Sequence, residues 1–370
     1  MPVRMEDDLP DPATLRPGWT TGACATAAAR AAVEGLLTGA FPDPVSITLP
    51  GGQTPAFALA CAERTGGGAR VGIIKDAGDD PDVTHGALIL ATVTRRPLGS
   101  GISFIAGPGV GTVTRPGLPL PPGEPAINPV PRKMMVAELT AFATRCGVAA
   151  DFAIEIAIPD GEKLAQRTMN GRLGILGGLS ILGTTGIVVP YSCAAWIHAI
   201  HRGVDVARAA GLTHVIGATG DTSEKAAQAF YGVPEIALID MGDFVGGLLK
   251  YLRGHPVPDV TIAGGFAKMT KLGQGLLDLH SKRGSVDLDW LAGLVPEALR
   301  PGIRAANSAL DALEQADAAG VDLAAAVAEA AWRAAAPVLT AGRLEIMIVD
   351  RQGILRAATG LRALPHSDAR

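Results

Sequence analysis

A chain of 370 residues suggests two domains and permits a sizeable buried core. Hydrophobic residues make up 48% and charged residues 18%, which argues against intrinsic disorder, while 32 basic against 36 acidic residues leave no excess of positive charge for general affinity to nucleic acid or anionic lipid. Any anion recognition must be local. Cys24, Cys61, Cys146 and Cys193 lie far apart with no C-x-x-C pair, against a zinc site or disulfide framework and in favour of a reducing, cytoplasmic compartment. The start, Met1 to Pro17, is acidic and lacks the basic-then-apolar order of a secretory signal.

Thr20 to Leu37 is alanine-rich, and Thr20, Thr21 and Gly22 supply cap-type residues before it, which predicts the first helix. Residues 45–49, 56–61, 69–74, 87–94 and 102–106 are short β-rich runs separated by Gly, Pro and Asp, a mostly antiparallel sheet region. A Gly/Pro-rich connection from Pro108 to Pro131 leads to helical spacing over Arg132 to Cys146 and a strand over Asp151 to Ile158. The first half therefore reads as α+β. Leu173 to His201 lacks Asp, Glu, Lys and Arg, but Gly174, Gly177, Gly178, Gly183, Gly186 and Pro190 break the backbone where a membrane-spanning helix must be continuous. No span is expected.

From Thr213 three strand-then-helix units follow in succession, starting THVIGAT, EIALIDM and DVTIAGGF. That alternation favours a parallel sheet with crossover helices, a Rossmann-like doubly wound domain whose ligands bind beyond the strand C-termini. Gly217–Asp221, Asp240–Asp243 and Gly264–Lys268 occupy those positions. Leu323 to Leu339 reads as a helix and Leu344 to Val349 as a strand of open pairing. The expected architecture has two domains, α+β over residues 1–183 and Rossmann-like α/β over 184–345, with a C-terminal strand and tail over 346–370.

Four segments carry candidate chemistry. At Thr20, Thr21 and Gly22, hydroxyls and backbone N–H groups at a helix start could hold a carboxylate or phosphate, the plain alternative being a helix cap. Cys24 beside them is expected to be buried. The loop Lys75 to Gly86 packs four carboxylates, a lysine and a histidine; crowding of carboxylates raises their pKa, which makes Asp76 or His85 a candidate general base, against the alternative of a solvated acidic turn. Gly217 and Gly220 form a partial G-x-G-x-x-G before Asp221, with Asp240 about twenty residues on to accept hydrogen bonds from a ribose. Lys268 and Lys271, with His280, Lys282 and Arg283 beyond them, could bind substrate carboxylates or merely line a solvated helix face. His198 and His201 share a helix face but have no neighbouring third ligand, and no protein-bound metal is expected.

At these residues the chain resembles the CbiD family, the cobalt-precorrin-5B C1-methyltransferases of cobalamin biosynthesis. The resemblance is carried by Arg16 to Ala25 (RPGWTTGACA), the Lys75 to Gly86 loop, Glu124 to Pro129, Pro159 to Lys163, Leu176 to Gly186, Thr219 to Asp221 and Gly264 to Lys271, in order. It implies transfer of a methyl group from S-adenosyl-L-methionine to C1 of a cobalt-containing tetrapyrrole, giving cobalt-precorrin-6A on the anaerobic route, with cobalt belonging to the substrate. It also implies an α+β portion combined with a Rossmann-like one. On this reading the donor's ribose sits at Asp240 and its amino-acid end near Gly217, Gly220 and Asp221. Thr20, Thr21, Gly22, Lys268 and Lys271 meet the ring's carboxylates, and His85 or Asp76 removes a proton. The partner is a small molecule, with neither nucleic acid nor membrane involved and a homo-oligomer left open. A corrinoid carrier and a tetrapyrrole hydrolase acting through the Asp76 to His85 loop are the alternatives.

Overall fold

The computed structural model describes residues 14–281 and 283–364; Lys282 and the ends of the chain lie outside the described residues. The chain is of mixed α/β character and divides into two compact units after Ser192.

The first unit is built round helix α1 (Thr21–Thr38), whose run of alanines is buried on nearly all sides. Small side chains let the surrounding elements approach closely, as a helix that is apolar all round requires. Thr20 caps its start, and Gly39, at φ +82°, ends it by donating to the Gly35 carbonyl. Against α1 lies a five-stranded sheet of β1 (Cys61–Thr65), β2 (Gly68–Ile74), β3 (Leu88–Arg95), β4 (Ser103–Ala106) and β5 (Phe152–Ala157), in the order β1-β2-β3-β5-β4. All pairings are antiparallel except β5 with β4. Alternation places Ala69, Val71, Ile73, Ile89, Ala91, Val93, Phe152, Ile154 and Ile156 in one core, as expected of a sheet with one covered face. Helix α2 (Pro129–Arg145) adds Met135 and Leu139 to that core.

The glycine-rich run beyond Gly171 is woven into this unit as very short strands. Ile175–Leu176, Gly178–Leu179 and Ile187–Val188 pair with earlier segments, the last with Gly18–Trp19. A Cβ on Gly178 would stand 2.2 Å from the Gly109 carbonyl oxygen, and one on Gly109 would stand 2.0 Å from that of Ile158. These glycines admit neighbouring backbone.

The second unit opens with α3 (Cys193–Ala209) and continues β6 (His214–Ala218), α4 (Asp221–Tyr231), β7 (Leu238–Asp240), α5 (Val245–Gly254), β8 (Asp259–Gly265) and α6 (Phe266–Gly273). After a helical stretch come α7 (Leu323–Ala335), β9 (Arg343–Val349) and β10 (Leu355–Ala358). The strands lie in the order β7-β6-β8-β9-β10, parallel from β7 to β9, with β10 antiparallel at the edge. The strand of open pairing, β9, therefore runs beside β8. One face carries Val215, Ile262, Ile346 and Ile348 into a large core with α3, α5, α6 and α7; the other carries Ile216, Ala263 and Met347 against α4. Among the described residues, no helix is long and apolar enough to cross a membrane.

Candidate functional site

In a sheet of this order the chain leaves β6 toward β7 on one side and later enters β8 on the other. The carboxyl ends of β6 and β8 therefore flank the point where strand order reverses, the position at which open α/β sheets leave a crevice. Thr219 and Gly220 follow β6; Gly264 and Gly265 end β8. The Thr219 N–H donates to the Ala263 carbonyl at 3.0 Å, which ties the two ends together. A Cβ on Gly220 or Gly265 would meet nothing within 4 Å, so the backbone is bare at the start of both α4 and α6. Asp240 closes β7 in register with Ala218, one strand over from this pair.

Lys268, on the first turn of α6, reaches back to this point: its ammonium donates to the Thr219 carbonyl at 3.0 Å and stands 3.1 Å from Asp243 Oδ1. Lys271 instead donates to the Leu279 carbonyl at 2.9 Å. Of the two cations predicted to meet substrate carboxylates, Lys268 is at the crevice and Lys271 serves the loop after α6. Gly217 has a different role from the one its spacing suggested. A Cβ there would stand 2.3 Å from Leu248 and 2.9 Å from the Met241 sulfur, so it is a packing glycine within the core and the bare backbone belongs to Gly220. Asp221 is exposed and pairs with Lys225 one turn on, at 2.7 Å. Thr219, Asp243 and Gly265 fall inside the three strand-end segments selected from the sequence, though none of them was singled out there. Trp196 was missed: it gave no signal, lying on a helix that precedes β6.

The first unit corrects three expectations. Thr20, Thr21 and Gly22 do not present an anion site. The Thr20 hydroxyl accepts from the Ala23 N–H at 3.2 Å, the Thr21 hydroxyl accepts from the Leu182 N–H at 3.0 Å, and the Gly22 N–H donates to the Leu182 carbonyl at 2.9 Å. Thr20 and Thr21 are buried, and the helix start is closed by the 182–186 backbone. Cys24 is fully buried and its thiol is pushed up to about 12 by desolvation. That matches the expectation of an inert packing residue.

In the acidic loop, Asp76 and Asp82 are held down rather than raised. The Arg16 guanidinium donates to both Asp76 oxygens, at 2.5 and 3.0 Å, and with the Gly78 N–H holds that carboxyl down at about 2. Burial pushes Asp82 up, but the Lys75 ammonium at 2.6 Å and the hydroxyl and N–H of Thr84 outweigh it and leave its pKa lowered. Asp79 accepts from the Arg16 N–H at 2.7 Å and Asp80 from the Tyr191 N–H at 2.8 Å. Each carboxylate thus has a structural partner. His85 Nδ1 accepts from the Ala77 N–H at 3.1 Å, which leaves Nε2 as the protonated nitrogen of the neutral ring. In that tautomer the exposed nitrogen carries a proton and is a donor, not the acceptor that a general base needs.

His198 and His201 have ring centroids 6.4 Å apart, and His201 stacks on Tyr251 at 3.9 Å.

A mixed α/β chain with bare backbone at the switch point of a largely parallel sheet has the architecture in which open α/β sheets commonly take ligands. The comparisons narrow it. The CbiD family model matches residues 9–190 and that of the CbiD C-terminal domain residues 278–360. A Bradyrhizobium protein named cobalt-precorrin-5B C(1)-methyltransferase is 64% identical over 349 residues, which covers 92% of this chain and 93% of that one. An Agrobacterium fabrum protein of the same name is 62% identical, covering 94% of each chain. The chain belongs to the CbiD family. A crystal structure of the cobalamin biosynthesis protein CbiD from Archaeoglobus fulgidus is similar at 27% identity and a TM-score of 0.40, over 73% of this chain and 83% of that one.

Proposed function

We propose that this protein is a C-methyltransferase that moves the methyl group of S-adenosyl-L-methionine to C1 of cobalt-precorrin-5B. The observation that carries the reading is near-full-length identity of 64% and 62% to relatives bearing that name. We read the second unit as Rossmann-like and as the donor-binding part. Its order β7-β6-β8-β9-β10, with bare glycines at the ends of β6 and β8, supports this.

The donor fits the residues present. Gly220 and Gly265 leave room for close approach to two helix starts, and Asp240 is a carboxylate at the end of the neighbouring strand, suited to two adjacent hydroxyls. The donor supplies an activated methyl on a sulfonium. The chain's part is to bind, to align the two carbons and to keep water out. Asp240 would orient the ribose, and the N–H groups opening α4 and α6 would meet anionic or polar groups. Lys268, anchored to Thr219 and Asp243, places a fixed positive charge beside the crevice for a ring carboxylate. His85, with Nε2–H outward, is better suited to donate to such a carboxylate than to act as base. The hydrolase alternative rested on Asp76 and His85, whose proton-accepting positions are engaged.

Anaerobic incubation with cobalt-precorrin-5B and methyl-labelled S-adenosylmethionine, followed by mass spectrometry and NMR, tests the reaction. Label at C1 is expected; absence of transfer with folded protein and intact substrate overturns it. Asp240→Ala should weaken donor binding about 10- to 100-fold, the range for hydrogen bonds to a charged group, with a smaller effect on kcat.

A further inference from the structure

Trp196 lies on the same stripe of α3 as Ile200, Val204 and Ala207, which pack into the core, yet it remains 46% exposed. The helix runs from the carboxyl ends of the strands toward the start of β6. Gly203 lets it press on edge strand β7, where a Cβ would stand 2.8 Å from Ile239. The stripe therefore ends at Trp196 beside the last residue of β7.

Three contacts fix the indole there. Its Nε1–H donates to the Asp240 carbonyl at 3.1 Å. Gly242, at φ +52°, passes beneath it so closely that a Cβ would stand 3.2 Å from the ring. Phe244 braces it at 6.4 Å between centroids, tilted by 54°. A large aromatic surface is thus held rigid and open to solvent, one hydrogen bond from the residue proposed to orient the ribose.

We infer that Trp196 is the platform on which the purine ring of the methyl donor stacks. This rests on the proposed placement of the donor at Asp240. A purine joined to a ribose at the end of β7 needs a flat, apolar, polarizable neighbour within one ring's reach. Among the described residues β7 is the edge strand of its sheet, so α3, packed beside its end, is the element that can supply one. Because the hydrogen bond and Gly242 already fix the ring, stacking requires no ordering of the side chain on binding.

The test uses the full chain with S-adenosylhomocysteine as probe, by calorimetry and by tryptophan emission, with circular dichroism to verify folding. Trp196→Ala should weaken binding about tenfold or more, as loss of base–aromatic stacking does. Trp196→Phe should retain most of the affinity while abolishing the quenching of emission expected of the wild type on binding the probe. If Trp196→Ala binds within about twofold of wild type while Asp240→Ala does not, the stacking role is overturned and the donor placement stands. If Trp196→Phe is quenched as wild type is, the indole does not meet the ring, which overturns the inference even where the alanine variant misfolds. Unimpaired binding by both Trp196→Ala and Asp240→Ala overturns the inference together with the placement. Trp196→Ala that binds the probe normally but fails to bind the tetrapyrrole assigns the platform to the macrocycle and overturns the inference as well.

Discussion

At the scale of single residues, a side chain's chemistry is set by what already occupies it. The loop from Lys75 to Gly86 was legible as an unusual concentration of charge, but its meaning was not. The groups that neutralise it, Arg16 and the Tyr191 N–H, lie 60 and 111 residues away from Asp76 and Asp80 along the chain. Crowded carboxylates raise one another's pKa only where no cation or N–H donor intervenes. Here Arg16 and the Gly78 N–H hold Asp76 down at about 2, and Lys75 and Thr84 leave Asp82 lowered. Cys24 was legible because its neighbours are alanines. With its thiol pushed up to about 12 and its surface fully covered, it should resist alkylation. Iodoacetamide on native protein should add to Cys61, Cys146 and Cys193, all exposed, and reach Cys24 only after denaturation. Peptide mass spectrometry distinguishes the two states, and a native adduct at Cys24 would contradict the burial.

Element by element, periodicity located the long strands and helices to within a few residues, since alternation and helical spacing are local properties. It did not reveal which polar residues face inward. On the α4 side of the second sheet, Glu345 is 3% exposed, accepts from the Tyr231 hydroxyl and from the Thr261 hydroxyl at 3.1 Å, and His214 meets Thr261 at 2.9 Å. Glu345 interrupts an apolar strand and became intelligible only once Tyr231 was seen above it. Burial raises its pKa from 4.5, so the folded state holds its proton more tightly than the unfolded chain. That contribution to stability is fully present below 4.5 and is lost as pH rises through the folded value. Glu345→Gln, which keeps the shape of the protonated form, should therefore gain stability relative to wild type as pH rises from 4.5. Thermal melts across pH 4 to 8 check the sign, and a variant that loses stability relative to wild type as pH rises would refute it.

For the whole molecule, the alternation of strands and helices after Thr213 was readable, but strand order was not, because no local signal says that β7 lies outside β6 and β9 beside β8. That order is what brings Thr219, Gly220, Gly264 and Gly265 together and leaves Lys271 elsewhere. If the second unit holds the methyl donor, S-adenosylhomocysteine should slow hydrogen exchange at residues 217–221, 240–243 and 264–268. Protection confined to residues 76–85 would move the site to the first unit. The pairing of Gly18–Trp19 with Ile187–Val188 has a consequence for synthesis. The Thr21 hydroxyl and Leu182 meet across 161 residues, and the Thr20 and Gly22 N–H groups find their acceptors at Gly186 and Leu182. A ribosome delivers α1 long before the backbone that closes its first turn. The first unit therefore completes late, when nearly all of it has emerged, and must close a long loop to do so.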